Sequence, residues 1–145
     1  MILVEHALGA PLLKAVGTET IALVYIRFAP GMKVVTVSQA NLITRDAAGA
    51  ERSAGLALAA QMFGMKLVYL ECGSGSPDPA PVEIVRAVRD VLDIPLVVGG
   101  GIRSGAQTQA ILDAGADIIV TGTIAENRHF DRLADVVSTV RKARR

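Results

Sequence analysis

Apolar runs of strand length alternate with amphipathic stretches of helix length through most of this chain. The apolar runs predict strands at residues 21–28, 67–71, 95–98 and 117–120. The amphipathic stretches predict helices at residues 2–16, 52–63, 81–91, 106–114 and 130–144. Because strand–helix–strand crossovers are right-handed, this alternation predicts a sheet of parallel strands and an α/β fold.

Local signals support these elements. In the helix predicted at residues 81–91, Pro81 suits the first turn, and Val82, Val85 and Val88 recur on one face. Gly115 is suited to the left-handed conformation that ends a helix, so it predicts the end of the helix before the last strand. Residues 29–45 are less regular, with a turn signal at residues 30–31 and an alternation at 32–37 that suggests a short hairpin or an excursion strand.

The length of the chain selects between the two architectures that use such a repeat, the open doubly wound sheet and the closed barrel. A closed barrel takes about 250 residues for eight βα units, or roughly 31 residues a unit. The 145 residues therefore supply four to five units in a single domain, residues 1–145. We expect a half-barrel whose open sides are completed or covered by self-association, as a homodimer or a higher oligomer.

Composition agrees with this fold and excludes several functions. The chain is 51% hydrophobic with 3% aromatic residues and no Trp, so Val, Ile, Leu, Ala and Met must fill the core, as in covered parallel sheets. The net charge of +1 indicates no nucleic-acid partner. One cysteine fits a reducing compartment, and no apolar run approaches the roughly 18 residues that a membrane span needs. No signal peptide is evident, so we expect a soluble, cytoplasmic protein.

Glycine-rich sites recur where three successive predicted strands end. They are Tyr69, Leu70, Glu71, Cys72, Gly73, Ser74 and Gly75, then Gly99, Gly100, Gly101, Ile102, Arg103 and Ser104, then Thr121, Gly122 and Thr123. Backbone N–H groups of glycine can approach an anion closely, and the following helices direct their positive poles to the same edge. Any one of these sites alone would indicate only a tight turn. Three in succession predict a phosphate nest, to which Ser74 and Thr123 can add hydroxyl donors.

Several side chains near these sites could carry chemistry. Glu71 ends a buried strand, where a carboxylate needs a partner, either substrate hydroxyls or a structural ion pair with Arg103 or Lys66. Tyr69 lies on the same face and can either donate to that ligand or belong to the core.

The remaining candidates are weaker. Cys72 has no histidine placed to activate it, and we interpret it as a small strand-end residue. His129 could line the rim but fits a surface position better. No cluster has the spacing of a zinc site, although a hard cation held by one carboxylate and a diphosphate would leave no such pattern.

Read together, these stretches resemble the geranylgeranylglyceryl phosphate synthase family. The similarity lies in YLECGSG at residues 69–75, VGGGIRS at 98–104 and AGADIIVTGT at 114–123, with FGMK at 63–66 preceding them. Members of that family are TIM-barrel prenyltransferases, which join the glycerol hydroxyl of sn-glycerol 1-phosphate to a polyprenyl diphosphate with Mg²⁺ in archaeal ether lipid synthesis. The resemblance covers the C-terminal half of the barrel.

The resemblance also implies roles for individual residues. It assigns residues 69–75 to the glycerol phosphate, with Glu71 holding the glycerol hydroxyls as the catalytic residue. Gly100, Gly101, Gly122 and Thr123 are assigned to its phosphate, and Gly99 is included among the residues that bind glycerol 1-phosphate. Two features depart from the family pattern: the metal-binding aspartate of its first strand is absent, and VVTVSQA at residues 34–40 stands where relatives carry a glycine-rich stretch.

Three functions remain open from the sequence. The leading one is a prenyltransferase that binds sn-glycerol 1-phosphate and a polyprenyl diphosphate, with Mg²⁺ expected from the resemblance. The second is a half-barrel phosphate-binding module of the same ancestry without transferase activity. The third is another phosphosugar enzyme of the barrel class, because glycine clamps at the last strands are widespread. The YLE string at residues 69–71 argues against the third.

Overall fold

The computed structural model describes residues 10–31 and 41–143. Strands and helices alternate through this part of the chain. In order they are α1 (Ala10–Ala15), β1 (Leu23–Arg27), α2 (Ala47–Met62), β2 (Leu67–Glu71), α3 (Val82–Arg89), β3 (Leu96–Gly99), α4 (Gly105–Asp113), β4 (Ile118–Val120), α5 (Thr123–Glu126) and α6 (Phe130–Ala143). None of the helices in the described ranges is long and apolar enough to span a lipid bilayer.

The four strands form one parallel sheet in the order β1-β2-β3-β4. Tyr25 of β1 is in register with Tyr69 of β2, which is in register with Val97 of β3. Every strand therefore ends at the same edge of the sheet. The predicted α/β fold with parallel βα units is confirmed.

The open edge of β1 carries one further contact. Ile43 forms an isolated parallel bridge with Phe28, in which the Ile43 amide donates to the Arg27 carbonyl at 2.8 Å and the Ala29 amide donates to Ile43 at 2.9 Å. These bonds lie on the opposite side of β1 from β2, because Phe28 donates its own amide to Glu71. The bridge covers the carboxyl end of that edge.

One face of the sheet forms the hydrophobic core with the helices. The strand residues on this face alternate along the chain, and Val68, Leu70, Leu96 and Val98 are all fully buried. They pack in one cluster with Ala57 of α2, with Ile84, Val85 and Val88 of α3, and with Ile111 of α4. The aliphatic filling predicted from composition is therefore present.

The opposite face of the sheet carries polar and aromatic side chains on its first two strands. Tyr25 and Arg27 point to this face from β1, and Tyr69 and Glu71 do so from β2. On β4, Ile118 and Val120 are 43% and 38% exposed. This face is the one available for a ligand.

Helix α2 is the largest departure from the predicted elements, because it starts at Ala47 rather than at residue 52. Residues 47–51 lack an apolar repeat, so periodicity did not reveal them. The start is set instead by Asp46, whose carboxylate accepts from the Gly49 amide at 2.9 Å. Gly49 also packs so closely on the Thr44 carbonyl that a side chain there would overlap it.

The other elements lie within a few residues of their predicted bounds. The prediction for β2 matches in full, and Gly115 adopts the expected left-handed conformation with φ 105°. Helix α5 was not predicted, because four residues are too few to show a period. The helix predicted at 2–16 is described only from residue 10, and the hairpin predicted at 32–37 lies outside the described residues.

Candidate functional site

A cavity of about 320 Å³ opens where β2, β3 and β4 end. Of the residues predicted to form the site, it is lined by Tyr69, Glu71, Ser74, Gly100, Gly101, Gly122 and Thr123. Each of the three glycine-rich stretches contributes to the wall. The parallel sheet brings them together because its strand ends share one edge.

Two predicted site residues are turned away from this cavity. Leu70 and Cys72 are fully buried in the core cluster, on the face that packs against the helices. Burial raises the pKa of the Cys72 thiol to about 11, so the thiol stays protonated at neutral pH. The side chains of both residues are therefore structural, in agreement with the interpretation of Cys72 as a small strand-end residue.

The glycines of the β3 turn cannot be replaced without strain. Gly100 has φ 81°, and a Cβ on it would lie 2.7 Å from a Glu71 carboxylate oxygen and from the Gly73 nitrogen. Gly101 has φ 76° and packs directly against the backbone of Asp78. Gly99 leaves the space that the Tyr69 phenol occupies. Close approach, as well as turn formation, requires glycine here.

The amides near the cavity divide into two groups. The Gly73 amide donates to Glu71 Oε1 at 2.5 Å, and the Gly75 amide donates to Thr123 Oγ1 at 3.1 Å, so both are already satisfied. In the described part of the chain, the amides of five cavity residues donate to no protein group: Ser74, Gly100, Gly101, Gly122 and Thr123. These amides are the candidate donors to an anion in the cavity. The predicted nest therefore has fewer free amide donors than glycines, because the amides of Gly73 and Gly75 are already bonded.

The two helix starts at this edge differ in what they offer an anion, because the amides of α4 are already bonded to side chains. Ser104 caps α4 by accepting from the Gln107 amide at 3.3 Å, and Asp135 of α6 accepts from the Gly105 amide at 2.5 Å. Helix α5 begins directly after Gly122. Because the unpaired amides of a helix start favour an anion, the end of β4 suits a phosphate.

Glu71 is 7% exposed at the end of β2 and faces the cavity. The alternative of an ion pair with Arg103 or Lys66 is wrong. Arg103 donates to backbone carbonyls, whereas Lys66 is exposed at the opposite end of the strand. Within the described ranges the only salt bridge joins Arg89 to Asp117.

Arg27, the register partner of Glu71, is also buried, and its Nη1 has no hydrogen-bond partner among the described residues. A carboxylate and a guanidinium therefore lie at the ends of neighbouring strands without pairing. Their burial reduces the screening of both charges by solvent. Arg27 could not be predicted from the sequence, because one arginine in an apolar strand gives no pattern.

Tyr25 is a further cavity residue that the sequence analysis did not identify. Its ring meets that of Tyr69 edge to face, with centroids 4.8 Å apart and planes at 74°. Burial raises the pKa of each phenol, and the neighbouring Glu71 carboxylate raises the pKa of both further. Both phenols therefore remain hydrogen-bond donors at neutral pH. Strand register reveals this pair, and no signal within residues 21–28 alone could have done so.

Of the two histidines, His129 lies among the described residues, and it does not line the cavity. His129 is exposed and lines a separate surface depression with Arg128 and Phe130, in agreement with a surface position. His6 lies outside the described residues. Among the described residues there is no group of three or more His, Cys, Asp or Glu side chains that could hold a metal ion.

A parallel βα sheet whose strand ends surround a glycine-lined cavity defines a protein of the TIM-barrel class. The family is shown by direct comparison. The family model described as PcrB family matches residues 1–141, and this chain belongs to that family.

Curated relatives support the same family. The geranylgeranylglyceryl phosphate synthase of Pyrococcus abyssi is 52% identical over 122 residues, which are 84% of this chain and 48% of that protein. The synthase of Thermoplasma acidophilum is 44% identical over 142 residues, which are 96% of this chain and 55% of that protein. The predicted resemblance is confirmed. The chain spans about half the length of these relatives.

Solved structures agree with the fold. A crystal structure of the Thermoplasma acidophilum synthase in complex with its substrate sn-glycerol-1-phosphate superposes with a TM-score of 0.87 at 44% identity. That alignment covers 94% of this chain and 56% of the other. The synthase from Thermoplasma volcanium gives a TM-score of 0.85 at 40% identity, covering 94% and 55%. The four-stranded sheet is therefore a half of a TIM-type fold.

Proposed function

We propose that the cavity binds sn-glycerol 1-phosphate, with the phosphate against the glycine turns of β3 and β4 and the glycerol hydroxyls at Glu71. The proposal is supported by the arrangement of the cavity, in which the unpaired amides of Gly101 and Thr123 share one pocket with a buried carboxylate. It is also supported by the relative from Thermoplasma acidophilum, whose structure holds this ligand. Of the predicted residues, those that line the cavity remain the proposed binding residues: Tyr69, Glu71, Ser74, Gly100, Gly101, Gly122 and Thr123.

The proposed reaction is prenyl transfer, as in the geranylgeranylglyceryl phosphate synthases. A glycerol hydroxyl oxygen forms a bond to C1 of the prenyl group, while the bond between C1 and the diphosphate oxygen breaks. The diphosphate leaves with the bonding electrons, and the hydroxyl proton passes to a base. Glu71 is the proposed catalytic base or orienting acceptor, because it is the buried carboxylate of the cavity. Tyr69 and Tyr25 are protonated donors beside it.

Magnesium is expected from the family, and the described residues do not fit a magnesium site by themselves. Mg²⁺ prefers several oxygen ligands in octahedral geometry, commonly carboxylates together with substrate phosphates. Glu71 is the acidic side chain that lines the cavity, and one of its oxygens already accepts from Gly73. No step proposed for this chain is therefore assigned to a metal.

Prenyl transfer can be measured directly. Radiolabelled geranylgeranyl diphosphate is incubated with sn-glycerol 1-phosphate, Mg²⁺ and the protein, and labelled ether lipid is extracted. We expect product above background, and product absent from a Glu71→Gln control. If no product forms at high protein and Mg²⁺ concentrations, the transferase proposal is wrong for this chain.

A second candidate is a phosphate-binding half-barrel without transferase activity. The observation that favours it is the cavity itself, in which the glycine turns and Glu71 all come from residues 69–123. Calorimetric titration with sn-glycerol 1-phosphate and inorganic phosphate separates the two. Binding without turnover favours the half-barrel module, and failure to bind either ligand refutes it.

A further inference from the structure

Two arginines hold one short loop behind the phosphate nest. This clamped loop, residues 76–79, connects the glycine turn after β2 to α3. Ser76 is fully buried within it and donates its hydroxyl to the Asp78 carbonyl at 2.7 Å. The loop matters to the site because Gly101, whose amide is available to an anion, packs directly on the Asp78 backbone. It forms the wall behind that amide.

Arg45 reaches the clamped loop from the segment before α2. Its Nη2 donates to Ser76 Oγ at 3.0 Å, and its Nη1 donates to the carbonyls of Asp78 and Pro79 at 3.3 Å each. Its Nε donates to the Ala29 carbonyl at 2.6 Å. Ala29 lies two residues after the end of β1, so Arg45 also connects the loop to that strand. One planar guanidinium joins three chain segments that are distant in sequence.

Arg103 reaches the same loop from the β3 side. Its guanidinium donates to the carbonyls of Ser76 and Pro77, the latter at 2.7 Å, and to its own neighbour Gly101 at 3.2 Å. An arginine beside a phosphate nest would ordinarily be assigned to the phosphate itself. Arg103 does line the cavity, but both of its terminal nitrogens donate to backbone carbonyls, so the guanidinium is held against the loop.

We propose that Arg45 is a positioning residue for the phosphate site, and that it acts through the clamped loop together with Arg103. The two guanidinium groups neutralise the carbonyls of the loop and fix its backbone, and the loop in turn fixes Gly101. Arg45 does not line the cavity, so its effect reaches the ligand through the loop. The inference rests on the proposed binding of glycerol 1-phosphate.

The decisive variant is Arg45→Lys, because lysine keeps the charge but cannot form the same fork of hydrogen bonds. We compare it with Arg45→Met and with the matched controls Arg52→Lys and Arg52→Met, since Arg52 is an exposed arginine on α2. Calorimetry gives the dissociation constants of sn-glycerol 1-phosphate and inorganic phosphate. Amide hydrogen exchange of residues 72–79, without ligand, reports the order of the loop through Ser76 and Asp78, since Pro77 and Pro79 carry no N–H.

We expect both Arg45 variants to bind each ligand about tenfold more weakly, as loss of charge-assisted hydrogen bonds would cause, and the Arg52 variants to be unchanged. Exchange at residues 72–79 should rise in both Arg45 variants while exchange in α6 stays the same. If Arg45→Lys binds as tightly as the wild type, charge alone matters and the inference is wrong. Faster exchange with unchanged affinity also overturns it, because the loop would then have only a structural role.

Failure of the proposed function gives a different result. A wild-type protein that binds inorganic phosphate but not glycerol 1-phosphate refutes the proposed substrate, and the phosphate affinities of the Arg45 variants then decide the inference. If Arg45→Met does not fold, Arg45→Lys carries the test alone, with exchange in α6 as the check of its fold. If amide exchange at residues 72–79 is unchanged in Arg45→Lys, Arg45 does not order the loop, and the inference is wrong at any measured ligand affinity.

Discussion

Replacing a glycine by alanine should stabilise or destabilise this protein according to the surroundings of that glycine. Gly101 has a positive φ and packs against backbone, whereas Gly55 lies on the exposed side of α2 with nothing within 4 Å of a Cβ. We expect Gly101→Ala to lower the free energy of unfolding by about 1–3 kcal/mol and to abolish phosphate binding. Gly55→Ala should raise the free energy of unfolding by about 1 kcal/mol, because alanine has the higher helix propensity. Urea denaturation measures both, and equal effects would contradict this account.

Glu71 separates recognition of the glycerol from recognition of the phosphate. Its carboxylate is buried beside the two phenols and lies next to the glycine turn. We expect Glu71→Gln to weaken binding of sn-glycerol 1-phosphate about tenfold or more, because the acceptor for the hydroxyls loses its charge, while inorganic phosphate binds as before. Calorimetry measures both, with Glu83→Gln on the exposed side of α3 as the control. Equal loss for the two ligands would place Glu71 in the phosphate nest instead.

Cys72 should be chemically silent in the folded protein. It is fully buried, and with a pKa of about 11 its reactive thiolate is scarce at pH values near 8. We expect an aromatic disulfide reagent to label it only as the protein unfolds, and to label it completely in denaturant. Rapid labelling of the native protein would show that the strand end is more open than described.

At the scale of elements, Asp46 gives α2 a pH-dependent cap. The Thr44 hydroxyl and then the Gly49 amide hold the pKa of the Asp46 carboxyl below its ordinary value of 3.8. A lowered pKa means that the stabilisation is fully present above the ordinary value and is lost as the pH falls through the lowered one.

We therefore expect Asp46→Ala to lower the melting temperature at neutral pH, since the cap is lost. Asp46→Asn keeps a capping oxygen but cannot titrate. The stability difference between the wild type and Asp46→Asn should be constant at neutral pH and shrink below pH 3.8. Circular dichroism melts over this range measure it, and a difference that grows on acidification would reverse the assigned sign.

An element could be predicted from the sequence when a periodic pattern sets its bounds, and could not when a cap or a tertiary contact sets them. Strand β2 was predicted to the residue because its apolar run is bounded by Lys66 and by glycines. The start of α2 was missed because a cap and a close backbone contact define it, and neither has a period. The glycine nest was predictable because all its parts recur at strand ends. Tyr25 and Arg45 were not, since only register and tertiary hydrogen bonds bring them to the site.

At the scale of the whole molecule, the sheet has two incompletely paired edges. In the part of the chain that the structure describes, β4 pairs only with β3, and the outer edge of β1 carries only the Ile43 bridge. Such edges, together with exposed Ile118 and Val120, favour association with another strand. We propose that two copies meet at these edges.

Light scattering at micromolar concentration should then give at least the mass of a dimer. We expect Ile118→Lys to shift the protein toward the monomer, because a charge on β4 opposes edge pairing. Val137→Lys serves as the control, since Val137 is similarly exposed on α6, at 40% against 43%. A monomeric wild type, or equal effects of the two substitutions, would contradict association through the sheet.

The cavity has one property with a bearing on how such proteins arise. Apart from Tyr25, its wall comes from residues 69–123, three consecutive βα units of the chain. Contacts that are close in sequence require little loop closure, so this segment can assemble early in folding. A gene that is duplicated, split or fused at a boundary before this segment would carry the anion site along intact. Most of the cavity is thus encoded in one continuous segment, which can be inherited as a unit.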